Sequence, residues 1–347
     1  MDLVENIYKP LGIRYIFHKG VPLIARSDSS PESSSLEGMN LLKKFRLLTS
    51  LYNDYEFFIF NGYNTSEFLY FFTRNLLTGG KKIIAVESDT KLNPRSGLKA
   101  FIKKTYLSFL FSRPFLFGFA GGNHTHKELF RHYGMAEERI FLLPMMVDNA
   151  KFRFRGERAS HPFVFLFVGR MIPLKNIELL VTAFLGNFEN DPHTRLRIVG
   201  GGELFEPLKK KYGHHENIDF LGPRHGKELV ETYHTSHVLV LPSDREQWGL
   251  VVNEALAAGL PVIASDRVGA IYDLIENRGT GFVFDPQKEG DLAEKMKTIR
   301  ENRELYKKMG ANAAQLMEKE WNYTLYRNNL LDALKKGAKR VLKREKA

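Results

Sequence analysis

Short apolar runs alternate with helical stretches along most of the chain. In the first half the runs are YEFFIF, KIIAV, LFGFA and RIFLL, which together lie between Tyr55 and Leu143. Each run is short and apolar, as expected of a strand that is buried on both faces of a sheet. The alternation of strand and helix patterns predicts a parallel, doubly wound α/β sheet.

The second half repeats this alternation after a polar, basic stretch, KFRFRGERASH, at 151–161. Its apolar runs are FVFLFVG, LRIVG, IDFLG, HVLVLPS, PVIAS and GFVF, and helical patterns at 177–188 and 226–235 separate some of them. A chain of 347 residues suits two domains of ordinary size. We therefore predict Rossmann-like domains at 1–155 and 156–325, followed by a C-terminal helix and basic tail at 326–347.

The N-terminal segment fits this pattern less well. The Ser-rich stretch SDSSPESSSLEG at 27–38 is expected to be a mobile loop. No strand, glycine turn and helix precede it, although IRYIF at 13–17 is a candidate remnant of a first strand. The first domain is therefore expected to begin with a missing or reduced strand.

Composition and charge limit the classes of protein that fit. The chain is 43% hydrophobic and contains no cysteine, which indicates a globular protein without disulfides, thiolate zinc sites or a catalytic thiol. No signal peptide or membrane-spanning apolar run is recognisable, so a cytoplasmic location is expected. The net charge of +11 implies an anionic partner, which is a nucleic acid, a membrane surface or a phosphorylated substrate.

Two carboxylates lie eight residues apart in the segment EQWGLVVNE, at Glu246 and Glu254. With Glu246 in the loop after HVLVLPS and a helix beginning near Leu250, both face the crevice at the strand ends where open α/β sheets bind ligands. Carboxylates accept hydrogen bonds from paired hydroxyls, so ribose and hexose diols are natural partners. A solvated helix start with two unrelated acidic residues fits the pattern equally well.

Cations and glycines follow two of the strands in the second half. Arg170 and Lys175 come after a strand that ends at Gly169, and they precede a helix. A guanidinium that binds bidentately and an ammonium near a helix N-terminus suit a diphosphate. The glycine turn VGGGE, with Gly201 and Gly202, would place backbone amides beside the same crevice. Surface cations and a simple strand-to-helix turn are the alternative, but the strand, glycine and helix context favours phosphate.

The first half also has polar residues after its strands. Glu87 and Asp89 follow IIAV, where a general base, a hydroxyl-binding group or a cap for the following loop fits. His124 and His126 follow LFGFA, and their spacing of two is not the i, i+4 spacing of a helical metal pair. We expect no metal site there.

A basic and aromatic segment occupies 97–119. It mixes Lys99, Lys103, Lys104 and Arg113 with many phenylalanines and leucines. On a helix, this combination suits the interface of an anionic bilayer. A buried helix and strand, with lysines that extend to water, fit the same residues comparably well.

From about Phe163 to Asp291 the chain resembles the retaining glycosyltransferases of family four, which have the GT-B fold of two Rossmann-like domains facing a central crevice. The resemblance rests on several motifs: GRMIPLKN, VGGGE, FLGPRHGKELVETY, VLPS, the E-x7-E segment with NEALAAGLPVIAS, and GTGFVF. The first half is similar only in the strand that ends at Ala120, with its helix, and in RIFLLPMMVD.

This resemblance implies a role for each motif residue. Arg170 and Lys175 would hold the donor diphosphate and stabilise the leaving group as its charge grows. Glu254 would bind the ribose hydroxyls, and Glu246 would contact the donor hexose. Backbone amides near the phosphates would come from Gly249, Leu250 and Val251. The family's histidine of the first domain has no clear counterpart here, since Glu87, Asp89 and His124 all compete for that acceptor-side position.

The resemblance also implies the chemistry and the partners. The acceptor would attack the front face of the sugar, with retention of configuration and without a protein nucleophile, a metal ion or a cofactor. The donor would be a nucleotide-sugar, with UDP favoured. The net charge and the basic and aromatic segment, and not the resemblance, suggest that the acceptor is a lipid-linked glycan at the inner face of the cell membrane, in envelope polysaccharide or lipopolysaccharide biosynthesis.

Two other classes of protein remain as alternatives. One is a catalytically impaired scaffold of the same fold, against which the presence of all four polar motif residues argues. The other is a protein that binds nucleic acid or other anions through its basic surface, for which no stacking platform or binding module is recognisable. We expect no nucleic-acid partner.

Overall fold

The computed structural model describes residues 4–13, 16–17, 34–36, 38–92 and 96–345. The chain forms two compact units: Met1–Pro144 with Tyr323–Ala347, and Met145–Asn322. The sequence-based division at 155/156 and 325/326 differs from this one at both ends. The basic stretch after residue 150 belongs to the second unit, because Phe152 is buried there against Tyr233. The last helix belongs to the first unit, because it packs on that unit's sheet.

The first unit is built around a four-stranded parallel sheet with the strand order β3-β4-β5-β6. Its elements, in chain order, are the π-helix Val4–Tyr8, β1 (Ile16–Phe17), β2 (Ser34–Ser35), α1 (Leu41–Asp54), β3 (Phe57–Asn61), α2 (Ser66–Leu77), β4 (Ile83–Ser88), α3 (Leu98–Phe111), β5 (Leu116–Ala120), α4 (Lys127–His132), the 3₁₀ turn Glu137–Arg139, β6 (Ile140–Leu142) and α13 (Tyr323–Glu345).

The expected remnant of a first strand at 13–17 is present only as β1. It pairs in parallel with β2 over two residues and does not join the main sheet. Most of the Ser-rich stretch at 27–38, which we expected to be a mobile loop, lies outside the described residues. Among the described residues, the main sheet of this unit therefore begins at Phe57.

Helices cover both faces of this sheet. Apolar residues of α1 to α4, including Phe68, Phe111 and Phe130, form one core with the strand residues that face them. On the other face, Phe57 and Phe117 pack edge to face, and α13 approaches so closely that a Cβ at its residue 337 would lie 2.8 Å from the Phe57 ring. The strands bury apolar side chains on both sides, as their sequence pattern predicts.

The second unit contains a six-stranded parallel sheet with the order β12-β11-β10-β7-β8-β9. Its elements are α5 (Asn149–Phe152), β7 (Phe163–Val168), the 3₁₀ turn Pro173–Lys175, α6 (Ile177–Phe188), β8 (Thr194–Val199), α7 (Phe205–Tyr212), β9 (Ile218–Gly222), α8 (Gly226–His234), β10 (Val238–Leu241), α9 (Leu250–Ala257), β11 (Val262–Ser265), α10 (Ile271–Leu274), β12 (Gly281–Phe284), α11 (Asp291–Glu301) and α12 (Arg303–Lys319).

The strand order of the second unit reverses between β7 and β10. Chain order runs outward from β7 to β9 on one side and from β10 to β12 on the other. Such a reversal leaves a crevice outside the carboxyl ends of the two central strands, and open α/β sheets bind ligands there. The prediction of a doubly wound α/β fold is confirmed, and every apolar run named above forms a strand. Among the described residues, no helix has both the length and the apolar character needed to cross a bilayer.

Candidate functional site

The loops that follow β7 and β10 meet at the strand-order reversal. The Lys175 ammonium, at the end of the 3₁₀ turn after β7, contacts the Glu246 carboxylate in the loop after β10. The same loops are joined by the Asn176 amide, which donates to Asp244 over 3.0 Å, and by a backbone hydrogen bond from Asp244 to Leu174. The structure therefore brings together two residues that the sequence separates by more than one strand and helix.

The glycine turn after β8 packs directly against the loop after β7. A Cβ at Gly200 would overlap the carbonyl oxygen of Gly169, and one at Gly202 would lie 2.6 Å from the carbonyl oxygen of Met171. The Met171 amide donates to the Gly201 carbonyl over 2.8 Å. Because both glycines also have φ values near +140°, larger residues fit neither the space nor the backbone. The predicted glycine turn thus lies beside the Arg170 and Lys175 loop.

Arg170 lies at the carboxyl end of β7 and is exposed. Its guanidinium forms no ion pair with the residues that the structure describes. The neighbouring Lys175 is half-buried and already contacts Glu246. The loop therefore offers one cation that is open to an anionic ligand and a second that a ligand must share with a carboxylate.

The loop from Glu246 to Gly249 is held by the segment 267–270. The Glu246 amide donates to Arg267 over 3.3 Å, and the Ala270 amide donates to Trp248 over 3.0 Å. Gly249 has φ +94° and begins α9, whose N-terminus receives no side-chain cap among the described residues. The amides of the first turn, at Leu250 and Val251, therefore face a position that suits an anion.

Glu254 projects from α9 into a hydrogen bond that the sequence did not predict. The hydroxyl of Tyr233, on α8, donates to its carboxylate over 2.6 Å. Burial raises the pKa of Glu254, while the Tyr233 hydrogen bond and the charge of Lys151 lower it. Burial also raises the pKa of Tyr233 well above its usual value, so the phenol stays protonated and remains the donor. The sequence signal for Tyr233 is its place in the motif KELVETY.

The two tryptophans of the chain pack against each other beside α9 and help to hold it in place. Trp248 stacks on Trp321 with ring centroids 5.6 Å apart and donates to the Asn253 amide oxygen over 2.8 Å. Asn253 and Trp321 both donate to the carbonyl of Met145, over 3.0 and 2.9 Å. This buried network fixes the helix whose first turns carry Leu250 and Glu254. Sequence reasoning also missed these residues, because their pattern differs in no way from that of an ordinary core.

The acceptor-side candidates lie in the first unit. Glu87, in β4, accepts hydrogen bonds from the hydroxyls of Tyr326 and Tyr8 over 3.1 and 3.3 Å. Burial raises the pKa of the Glu87 carboxyl, and the two tyrosines lower it. Asp89 is exposed just after β4, and His124 is exposed in the turn before α4.

Solved structures identify the fold. A glycosyltransferase from Rickettsia africae superposes with a TM-score of 0.72 at 18% identity, over 97% of this chain and 94% of that one. Anabaena HepE, solved in complex with UDP, superposes with a TM-score of 0.70 at 17% identity, over 88% and 86% of the two chains. The fold is GT-B, as the sequence resemblance implied.

Sequence comparison then relates the second unit to a family. Residues 148–316, which lie in the second unit, match the family described as Glycosyl transferases group 1. A D-inositol 3-phosphate glycosyltransferase of Corynebacterium glutamicum is 29% identical over 54% of this chain and 50% of its own. The sulfoquinovosyl transferase SQD2 of Arabidopsis thaliana is 33% identical over 56% of this chain and 40% of its own. The chain matches about half the length of these curated relatives.

Proposed function

We propose that this protein is a retaining glycosyltransferase that moves a hexose-type sugar from a nucleotide-diphosphate donor, with UDP favoured, to a glycan acceptor. The observation that carries the proposal is the contact of Lys175 with Glu246 at the strand-order reversal of a group 1 glycosyltransferase unit. The UDP bound to the structurally similar HepE supports the choice of nucleotide.

Each polar group of the crevice has a role in holding the donor. Arg170 and Lys175 bind the diphosphate, and the uncapped N-terminus of α9 supplies backbone amides to it. Glu254 accepts hydrogen bonds from the ribose hydroxyls with the oxygen that Tyr233 leaves available. Glu246 contacts the hexose once the donor diphosphate has drawn Lys175 away from it.

The proposed chemistry needs no protein nucleophile. An acceptor hydroxyl attacks the anomeric carbon from the face that the diphosphate leaves, the bond from that carbon to the phosphate oxygen breaks, and a donor phosphate oxygen takes the acceptor proton. Arg170 and Lys175 stabilise the charge that grows on the departing nucleoside diphosphate. We propose that these two cations replace a metal ion, so that activity is independent of metal.

The acceptor in this proposal is lipid-linked and belongs to envelope polysaccharide or lipopolysaccharide biosynthesis at the cytoplasmic face of the membrane. The net charge of +11 supports an anionic surface as a partner. Glu87, Asp89 and His124 are the candidates for contact with the acceptor, since they lie at or beyond the carboxyl ends of β4 and β5.

A thermal-shift experiment with UDP, GDP and ADP tests the donor site, since a ligand that binds only the folded state raises the melting temperature. We expect a shift from one nucleotide, unchanged by EDTA, lost in Lys175→Ala and kept in Lys308→Ala, which removes an exposed lysine of α12. A shift that EDTA abolishes would contradict metal independence. The absence of any shift would favour the scaffold alternative over a transferase.

A further inference from the structure

Helix α3 carries two apolar stripes on opposite sides. Leu107, Leu110 and Phe111 are buried in the core of the first unit. Leu98 and Phe101 are 75% and 68% exposed, and at about 100° per residue they lie on the side away from that core. The core therefore accounts for one stripe only. The sequence left a buried helix and a surface helix as alternatives for this segment, and the structure shows a helix that is buried in its second half and exposed in its first.

The start of α1 also exposes large apolar side chains. Both α1 and α3 run antiparallel to the strands that they adjoin, so both begin at the carboxyl edge of the four-stranded sheet. Between them, the first turn of α2 is tied to α1 by the ion pair of Lys44 with Glu67. We call the exposed apolar residues at these two helix starts the basic apolar face: Leu41, Leu42, Phe45, Leu98, Phe101 and Ile102.

All charged side chains of α3 are basic. The sequence has no acidic residue between Asp89 and Glu128, and this interval contains seven lysines and arginines. At about 100° per residue, Lys99 and Lys104 lie on either side of the exposed apolar stripe, and Lys103 lies on the side of the buried stripe but in the exposed first half of the helix. All three are exposed and form no ion pair with the described residues. A solvated helix would normally alternate its charges and keep large apolar groups inward.

We propose that the basic apolar face docks this protein onto an anionic membrane surface. Large apolar side chains enter the boundary between head groups and acyl chains, and flanking lysines contact anionic head groups, as in helices that lie in a bilayer interface. Charge complementarity decides the occupant: a segment of this length without any acid is matched by a surface of uniformly negative charge. A second copy of this chain would bring the same cations together and so be repelled.

The position of the face gives it a role in the proposed reaction. The face lies at the carboxyl edge of the sheet, and β4 ends with Glu87 and Ser88 at the same edge. Docking there would bring the membrane close to the acceptor-side candidates of the first unit. This consequence rests on the proposed lipid-linked acceptor, whereas membrane binding itself does not.

Co-sedimentation with vesicles tests the docking face. The probes are phosphatidylcholine vesicles with and without about one third phosphatidylglycerol, at low and high salt. We expect binding only to the anionic vesicles at low salt. The double variant Phe101→Ser/Ile102→Ser and the triple variant Lys99→Gln/Lys103→Gln/Lys104→Gln should each weaken it by about tenfold or more. Leu77→Ser is the matched control, because Leu77 is 81% exposed but lies at the other end of its helix, and it should bind like the wild type.

Other outcomes separate this inference from the proposed function. If the variants lose vesicle binding but keep the nucleotide-induced thermal shift, the face and the donor site are independent, as we infer. Equal binding of the wild type and both variants would overturn the docking face even if the transferase proposal holds. A change of the variants from dimer to monomer in size-exclusion chromatography, with vesicle binding unaffected, would instead assign the face to self-association.

Discussion

The hydroxyl of Tyr233 donates a 2.6 Å hydrogen bond to Glu254 and so joins α8 to α9. Tyr233 is fully buried, and the Glu254 carboxylate lies largely out of water. A carboxylate in such a place loses hydration, so the phenol both fixes its orientation and helps to keep it ionised. The ribose position of the proposed donor site thus depends on a residue that need not touch the donor.

Replacing Tyr233 with Phe should weaken the binding of UDP about tenfold, as expected for the loss of one hydrogen bond to a charged group. Burial would then raise the pKa of Glu254 unopposed by the phenol. As the pH is lowered, the affinity of the variant for UDP should therefore begin to fall at a higher pH than that of the wild type. The reason is that only the ionised carboxylate accepts from both ribose hydroxyls. Titration calorimetry with UDP over a pH series measures both effects.

Tyr212→Phe is the matched control for this experiment. It removes a tyrosine–glutamate hydrogen bond of 2.9 Å, to Glu178, on an exposed surface of the same unit. Its UDP affinity and pH profile should equal those of the wild type. If Tyr233→Phe and Tyr212→Phe behave alike, Tyr233 has no role in positioning Glu254.

Glu246→Gln should separate nucleotide binding from sugar transfer. Removing the carboxylate frees the Lys175 ammonium from its partner, so UDP alone should bind a few times more tightly, an effect typical of a partly exposed ion pair. Transfer should slow strongly, since the hexose loses its carboxylate contact. Calorimetry with UDP and a UDP-release assay with UDP-glucose measure the two quantities. Weaker binding of UDP in the variant would show that Glu246 assists the nucleotide and does not compete with it.

Two glycines of the second unit should respond to alanine in opposite directions. Gly200→Ala would place a Cβ on the Gly169 carbonyl in a backbone with φ +135°, and we expect a loss of about 2–4 kcal/mol in the free energy of unfolding. Gly186→Ala lies in α6 with no atom within 4 Å of the new Cβ, and should gain up to about 1 kcal/mol. Urea unfolding of both variants tests the pair. Similar losses of unfolding free energy in both variants would mean that the close approach of the loops after β7 and β8 does not require glycine at position 200.

His237 should make the stability of the second unit depend on pH. Its Nδ1 accepts from the Val164 amide and its Nε2 donates to the Ala159 carbonyl, so the folded ring is neutral. Burial, with the charges of Arg158, Arg197 and Arg300, lowers the pKa of His237 from 6.5 to about 4.

A lowered histidine pKa means that the unfolded state binds the proton more readily. Stability is therefore full above pH 6.5 and falls as the pH drops toward 4, by about 2 kcal/mol between pH 7 and pH 5. The measurement is the difference in unfolding free energy between the wild type and His237→Asn at each pH, since other groups cancel in that difference. A difference that is constant from pH 7 to pH 5 would contradict a neutral buried ring.

The apolar runs predicted the strands well because each of them is buried on two faces. In β7 and β10, for example, every residue is buried. A strand of this kind needs apolar residues at consecutive positions, and such a run is easy to recognise in the sequence. The helical pattern at 177–188 likewise agrees with α6, Ile177–Phe188. The unit boundaries were harder, because the C-terminal helix returns to the first unit through contacts between residues far apart in sequence.

For the candidate site, sequence reasoning found residues whose type carries the chemistry. Lys175 and Glu246 could be named from their motifs, but their contact depends on the strand order, which no local pattern encodes. Tyr233 was missed because, in sequence, a tyrosine on the buried side of a helix cannot be told from an ordinary core residue. Its role becomes visible only in the structure, where its hydroxyl on α8 donates to Glu254 on α9.

The return of α13 to the first unit sets an order for folding on the ribosome. The sheet face that carries Phe57 and Phe117 cannot be covered until the chain beyond residue 322 has been made. The second unit is complete before that point, so it can fold while its neighbour still has one bare aromatic face. A fragment cut after Pro144 would keep that face exposed and should aggregate. A gene fusion that joins Pro144 to Tyr323 through a short linker would be the way to obtain the first unit alone.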